Sequence, residues 1–95
     1  MKNLAISPYF KKQFEKLPKN EKEKVSSAIK EFIRSLAEQK FSSGLGFKKI
    51  SNNQYEIRAD IRVRIAMRLE EDTFTCVLLG NHDEIKRYIK EYGNG

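Results

Sequence analysis

The sequence predicts an α+β domain: an N-terminal strand and a helical hairpin packed on an antiparallel β-meander, with a closing C-terminal helix. Two patterns carry this prediction. In the first half, apolar side chains recur every three or four residues, which is the spacing of a helix with one buried face. In the second half, short alternating runs follow one another across polar turns, which is typical of consecutive antiparallel strands. At 95 residues, the chain is expected to form one domain, 1–95.

The first half opens with a short candidate strand, Asn3 to Ile6. Ser7 is a favourable helix cap and Pro8 a favourable first helical residue, so a short helix is predicted to start there and to stop before Pro18. Its apolar residues at helical spacing are Phe10, Phe14 and Leu17.

A longer second helix is predicted after Pro18. Asn20 and Glu23 have the spacing of a capping box, and the apolar stripe that follows runs to about Glu38 or Gln39. The stripe consists of Val25, Ile29, Phe32, Ile33 and Leu36. The two helices would form a hairpin that covers the aliphatic side of the sheet.

The second half contains four candidate strands. They are Phe47 to Ile50, Tyr55 to Ala59, Ile61 to Leu69 and Thr73 to Leu79. The last run is apolar on both faces, which favours a central position in the sheet. Asn81 and Glu84 then form a second candidate capping box, which opens the closing helix. The residues of that helix spaced to pack on the sheet are Ile85, Tyr88, Ile89 and Tyr92.

Alternation from Tyr55 to Leu69 predicts a sheet with one aliphatic face and one basic face. The arginines of the basic face are Arg58, Arg62, Arg64 and Arg68. Because a guanidinium can bind a phosphate through two parallel hydrogen bonds, four of them in a row would form a cradle for a polyanion. Arginines also serve simply to keep an exposed sheet face soluble, and the pattern alone leaves this alternative open.

Composition narrows the class of protein. The 19 Lys and Arg residues exceed the 13 Asp and Glu residues, for a net charge of +6, which favours binding to nucleic acid, an anionic membrane or an acidic protein. No apolar stretch approaches the roughly 18 residues of a spanning helix, and no signal peptide is recognised, so no membrane role is expected. The single cysteine, Cys76, lies in an apolar run and is expected to be buried; a reducing, cytoplasmic location follows.

Few residues could carry chemistry. The sequence lacks metal-ligand spacing, a phosphate-binding glycine loop and a nucleophile elbow, so no cofactor is expected. The single histidine, His82, follows the last strand at the start of the closing helix, where its ring could project beside the arginine face. One interpretation is structural, as a neighbour of the helix cap. The other is acid–base chemistry on a phosphodiester, because an imidazole exchanges protons near neutral pH.

The order of elements and four segments together resemble the RelE/ParE superfamily of bacterial type II toxins. The segments are FKKQFEKLPK, SGLGFKKI, YEIRADIRVRIA and VLLGNHDEIKRYI, and the resemblance spans nearly the whole chain. It implies a toxin similar to RelE and YafQ, which cleaves messenger RNA in the ribosomal A site without a metal ion, using basic residues on a concave sheet.

The resemblance also implies roles for individual residues. Arg62 matches an arginine that binds phosphate and stabilises the transition state, and Arg58 matches a basic position upstream. His82 lies where some members have a catalytic arginine and others a histidine. Tyr88 matches a tyrosine that orients the nucleophile, although a core role for this aromatic is equally open. The positions expected to contact RNA are Arg64, Arg68, Lys48, Lys49, Glu56 and Lys86.

Three positions depart from the RelE pattern. Glu56 replaces a lysine, so it either serves as a carboxylate base or marks a different arrangement of the site. Ile61 replaces the aromatic residue that usually precedes the arginine, and Lys86 stands where several relatives have an aromatic. The proton relay of this chain therefore need not be that of RelE.

Two other functions remain compatible with the sequence. A ParE-like member inhibits DNA gyrase without cutting RNA, and an inactive member would only bind a partner. In each case the resemblance implies a cognate antitoxin, acidic or amphipathic, that shields the basic face. His82 is the residue that favours the nuclease.

Overall fold

The computed structural model describes residues 2–92. Within that range five strands and three α-helices follow in the order β1 (Asn3–Ile6), α1 (Pro8–Glu15), α2 (Lys19–Glu38), β2 (Lys48–Ser51), β3 (Gln54–Arg58), β4 (Arg64–Glu70), β5 (Thr73–Gly80) and α3 (His82–Tyr92). A short 3-10 turn, Ser43–Leu45, lies in the connector before β2. The predicted α+β architecture is confirmed.

The strands form one sheet in the order β1-β5-β4-β3-β2. Strands β2 to β5 are an antiparallel meander, and β1 adds to the outer side of β5 in parallel. The chain between these two parallel neighbours includes the α1–α2 hairpin and strands β2 to β4, well beyond the roughly one dozen residues that such a connection needs. Strand β5 is therefore flanked on both sides, which confirms its predicted central position.

The first helix begins as predicted, and the second does not. Ser7 Oγ accepts a hydrogen bond from the Phe10 N–H at 3.1 Å, with Pro8 as the first helical residue. The predicted capping box of the second helix, at Asn20, is wrong. Pro18 is the cap, because its extended backbone ends the preceding segment and its carbonyl already accepts the Lys22 N–H at 2.9 Å.

The hydrophobic core lies between the helical hairpin and one face of the sheet. Its fully buried members include Phe10, Val25, Phe32, Ile57, Ile65, Met67 and Cys76. Helix α3 packs on the other face: Ile85 is 2% exposed yet lies outside that core cluster, and the Tyr88 hydroxyl meets Arg68 of β4. The predicted basic face is therefore partly covered by α3. The side chain of Tyr92 lies outside the described part of the structure.

A bulge in β5 changes which residues face the core. Ala66 pairs with Leu78 but Met67 pairs with Cys76, so Val77 is an extra residue without a partner on β4. The alternation consequently shifts by one position: Cys76 and Leu79 face the core, and Leu78 turns to the face that α3 covers. This is why the run is apolar at successive positions.

The Cys76 thiol is 0% exposed, and burial raises its pKa from 9.0 to about 12. We expect the free energy of unfolding to fall as pH rises from 9 towards 12, by up to about 1.4 kcal/mol per pH unit from this group, because the thiol ionises in the unfolded chain but stays protonated in the folded one. Chemical denaturation of the protein and of a Cys76→Ala variant, at several pH values, isolates the slope. Equal slopes would contradict this prediction.

Candidate active site

Arg62 lies on a loop and not on a strand. Strand β4 begins at Arg64, which pairs with Arg58 of β3, so the five residues between them form the connecting loop. The prediction that β4 starts at Ile61 is wrong. Ala59 and Asp60 both donate their N–H groups to the Val63 carbonyl, at 2.9 and 3.0 Å, and these bonds close the loop before the ladder begins.

The Asp60 carboxylate fixes this loop from two directions. Its Oδ1 accepts the Ile61 N–H at 2.7 Å, and its Oδ2 lies 3.3 Å from Lys24 Nζ of α2. The Ile61 backbone hydrogen bond, followed by the bond from Lys24, holds the pKa of Asp60 below its usual value. The loop that carries Arg62 is therefore held by hydrogen bonds within the loop and by a contact with the helical hairpin.

His82 is placed by a tight junction between β5 and α3. Asn81 Oδ1 accepts the Glu84 N–H, and Glu84 Oε1 accepts the Asn81 N–H, both at 2.8 Å. The predicted capping box is confirmed, with His82 as the first residue of α3. Gly80 allows this close approach, since a Cβ there would come within 2.9 Å of the Glu84 Cβ.

Gln13 of α1 holds the last residues of β5 in place. Its side-chain nitrogen donates to the Leu79 carbonyl at 2.9 Å, and its side-chain oxygen accepts the Leu79 N–H at 2.8 Å. Strand β1 ends opposite Cys76, so the amide takes the place of the missing neighbouring strand. Sequence reasoning missed this residue, although its helical spacing with Phe10 and Leu17 places a polar group in the apolar stripe.

These elements bring Arg62 and His82 onto one open cleft of about 640 Å³, termed here the His82 cleft. Its walls are α1 and the start of α2, the β3–β4 loop, and the β5–α3 junction. Side chains that bear charge or can exchange a proton are Lys16, Glu21, Arg62, His82, Asp83 and Glu84. Cations that bind phosphate therefore share the cleft with carboxylates that can accept protons.

The Arg62 guanidinium forms no hydrogen bond or ion pair that the structure describes within residues 2–92. Arg64 differs: its Nη1 donates to Glu56 Oε2 at 2.5 Å, and Lys48 Nζ lies 3.8 Å from the same oxygen. Glu56 is only 2% exposed, and both cations neutralise it. Arg64 and Glu56 were both expected to contact RNA, but in the structure they bind each other.

The remaining arginines of the predicted row are separated from the His82 cleft. Arg58 lies against Gly46 and lines a different depression, between α2 and the 3-10 turn. Arg68 binds Glu70 and the Tyr88 hydroxyl, each at 3.4 Å, and the Tyr88 bond is the main cause of its raised pKa. The four arginines therefore do not form one row.

Tyr88 and the two lysines of β2 also have separate positions. Tyr88 lies six residues along α3 from His82, about 9 Å along the axis, and lines neither cleft that His82 lines. Lys49 pairs with Tyr55, on the face towards the helical hairpin. Lys48 and Lys86 line a second, smaller cleft of about 240 Å³ that also reaches His82.

Within residues 2–92, no group of three or more His, Cys, Asp and Glu side chains is arranged to hold a metal ion. Over the same range, none of the helices combines the length and hydrophobicity needed to cross a membrane.

Comparison with known proteins identifies the fold. No protein-family model matches the chain. No curated protein matches its sequence either. Among solved structures, the chain is similar to a copper-bound mutant toxin from Helicobacter pylori, with a TM-score of 0.64 and 17% sequence identity over 90% of this chain and 99% of that one. At this identity the likeness extends to the fold of that toxin and no further.

Replacing Gln13 by Ala should loosen the end of β5, because both main-chain groups of Leu79 lose their partner. We expect a loss of about 1–3 kcal/mol in the free energy of unfolding and faster hydrogen exchange of the Leu79 amide. Lys12→Ala, at an exposed position of the same helix, is the matched control. Unchanged Leu79 exchange in Gln13→Ala would contradict the assignment.

Replacing Lys24 by Met should raise the pKa of Asp60 only part of the way to 3.8, since the Ile61 hydrogen bond remains. A lowered folded-state pKa stabilises the fold above pH 3.8, and this contribution disappears as pH falls through the folded value. Titration of the Asp60 carboxyl by NMR measures the shift. No change in the variant would show that the Lys24 contact does not hold the loop.

Proposed function

We propose that this chain is the toxin of a type II toxin–antitoxin system and acts as an endoribonuclease that cleaves messenger RNA, on the ribosome, and so inhibits translation. The observation that carries the proposal is the shared cleft of Arg62 and His82. A phosphate-binding guanidinium and a proton-transferring imidazole are two of the groups that phosphodiester cleavage by side chains requires. The fold shared with a bacterial toxin supports the same assignment.

In the proposed reaction the 2′-oxygen of a nucleotide attacks the adjacent phosphorus. The bond to the 5′-oxygen of the next nucleotide breaks, which leaves a 2′,3′-cyclic phosphate and a 5′-hydroxyl. Arg62 neutralises the charge that develops on the nonbridging oxygens, an effect of about 3 kcal/mol for one donor. Protonated His82 gives its proton to the departing 5′-oxygen.

A base is needed to take the proton of the 2′-hydroxyl. Glu21 and Asp83 supply carboxylates on the same cleft as His82. Glu84 already accepts the Asn81 N–H, and Glu56 is neutralised by Arg64, so neither suits this role as well. The scheme uses side chains alone, and the proposed activity is independent of added metal.

The proposed partners are messenger RNA in the ribosomal A site and a cognate antitoxin. The net charge of +6 suits an acidic or amphipathic antitoxin, which would inhibit the toxin by covering the His82 cleft. Binding of this kind would also keep the Arg62 guanidinium, which forms no hydrogen bond within residues 2–92, from nonspecific contacts with other nucleic acids.

Arg62→Ala and His82→Asn should each slow transcript cleavage by about a hundredfold or more, because one loses charge stabilisation and the other loses the proton donor. Mapping of transcript ends after induced expression measures cleavage, and circular dichroism checks folding. Arg34→Ala is the matched control for Arg62, since Arg34 is an exposed arginine of α2 that pairs with Glu31. If both variants stop protein synthesis as fast as the unsubstituted protein, the assignment of the site is wrong.

Pulse labelling in the same cells separates this function from gyrase inhibition. Synthesis of protein should stop before synthesis of DNA if the chain cleaves messenger RNA. The reverse order would identify a gyrase inhibitor, and growth without arrest would identify a member that only binds a partner.

A further inference from the structure

His82 separates two clefts of opposite electrostatic character. The His82 cleft contains the cations Lys16 and Arg62 together with three carboxylates. On the other side of the imidazole, between α3 and β2, the second cleft contains three lysines. Its full lining is Lys48, Ile50, Glu56, His82, Ile85, Lys86, Ile89 and Lys90. We refer to it as the lysine cleft.

The charge of the lysine cleft is only partly neutralised by its surroundings. Glu56 is its single carboxylate among the described residues, and Arg64 already binds that group at 2.5 Å. Asp83 and Glu84, from the first turn of α3, line the His82 cleft instead. The ammonium groups of Lys86 and Lys90 are therefore available to an anionic ligand, whereas Lys48 Nζ lies 3.8 Å from Glu56 Oε2.

The lysines are arranged for such a ligand. Lys86 and Lys90 are exposed and lie one turn apart on α3, where two like charges repel each other. Lys48 faces them from β2, with half of its side chain exposed, 52%. An anion seated between them removes the repulsion and gains contacts from two elements of the fold.

The floor of the lysine cleft is apolar. Ile85 and Ile89 lie one turn apart on α3, each directly before one of its lysines in sequence, and Ile50 of β2 completes the surface. An apolar floor with a cationic rim suits a nucleotide, because the base can pack on aliphatic side chains while its phosphate meets the ammonium groups.

From this arrangement we propose that the lysine cleft is a second nucleotide subsite, which binds the phosphate and base of the nucleotide next to the cleaved bond. The proposal rests on the proposed ribonuclease function. The RNA strand lies across His82, with one phosphate beside Arg62 and the neighbouring nucleotide in the lysine cleft. Binding of the strand thus depends on α3 and β2 rather than on a row of arginines.

The test is the affinity for a short single-stranded RNA carrying 2′-O-methyl groups, which cannot be cleaved by 2′-oxygen attack. Lys86→Ala/Lys90→Ala should bind it about tenfold more weakly or worse. The slope of log affinity against log salt should become less negative by about 0.7, because one phosphate of the single strand is no longer neutralised. Lys86→Arg/Lys90→Arg keeps the charge and should bind normally.

Lys11→Ala/Lys30→Ala is the matched control. It removes two exposed lysines of the helical hairpin, which line a different groove between α1 and α2, and should leave affinity and slope unchanged. Equal weakening by the two double variants would mean that only net charge matters and would overturn the subsite. Undetectable binding by the unsubstituted protein at low salt would also overturn it.

The two proposals fail in different experiments. If induced expression produces no cleaved transcripts, the ribonuclease function is wrong whatever the affinity for RNA. If transcripts are cleaved but Lys86→Ala/Lys90→Ala binds RNA normally, the subsite alone is wrong.

Discussion

The neutralisation of one buried carboxylate, that of Glu56, determines how positive charge is distributed over this protein. A carboxylate 2% exposed must be paired, and its position in the middle of β3 makes Arg64 of β4 and Lys48 of β2 its partners. Arg64 is thereby removed from the set of groups free to bind a ligand. Lys86 and Lys90 of α3 keep positive charge that none of the described ion pairs neutralises, and Arg62 projects from its own loop.

Several local contacts position His82. They involve the last two residues of β5, Leu79 and Gly80, and the two residues that follow. The bulge at Val77 sets the facing of Leu79, and the Gln13 amide completes the hydrogen bonding of Leu79 where β1 has ended. The small Gly80 and the reciprocal cap of α3 then start the helix at once. Each of these contacts involves main-chain atoms, so the backbone that carries the imidazole is fixed more firmly than the exposed ring itself.

The sequence predicted most of the features that depend on residues close together in the chain, the cap of α2 at Asn20 being an exception. Alternation, helical spacing and the Asn81 cap depend on residues within a few positions of one another, and the order of elements and the cap of α3 were predicted correctly. Arg62 was assigned to a strand because alternation continues through Val63. A different local interaction overrides this alternation. The Asp60 side chain accepts the Ile61 N–H, which favours a turn over pairing with the neighbouring strand.

Pairing across the sheet could not be predicted in the same way. Alternation places Glu56 and Arg64 on one face, but the register that makes them partners arises from the length of the loop between them. For Gln13, the sequence contained a signal, a polar residue within an apolar stripe, without indicating the distant main-chain groups it would meet. Both contacts join different secondary-structure elements, so the spacing of residues within one element does not predict either of them.

The link between α1 and β5 has a consequence for how this chain can diverge. The carboxamide of Gln13 binds only the peptide groups of Leu79. It therefore imposes no requirement on the side chain at position 79, which has only to fill the core. Substitution at position 79 is therefore constrained by volume, whereas substitution at position 13 is constrained by chemistry. Related chains that keep this junction should vary freely among aliphatic residues at position 79 while retaining an amide at position 13.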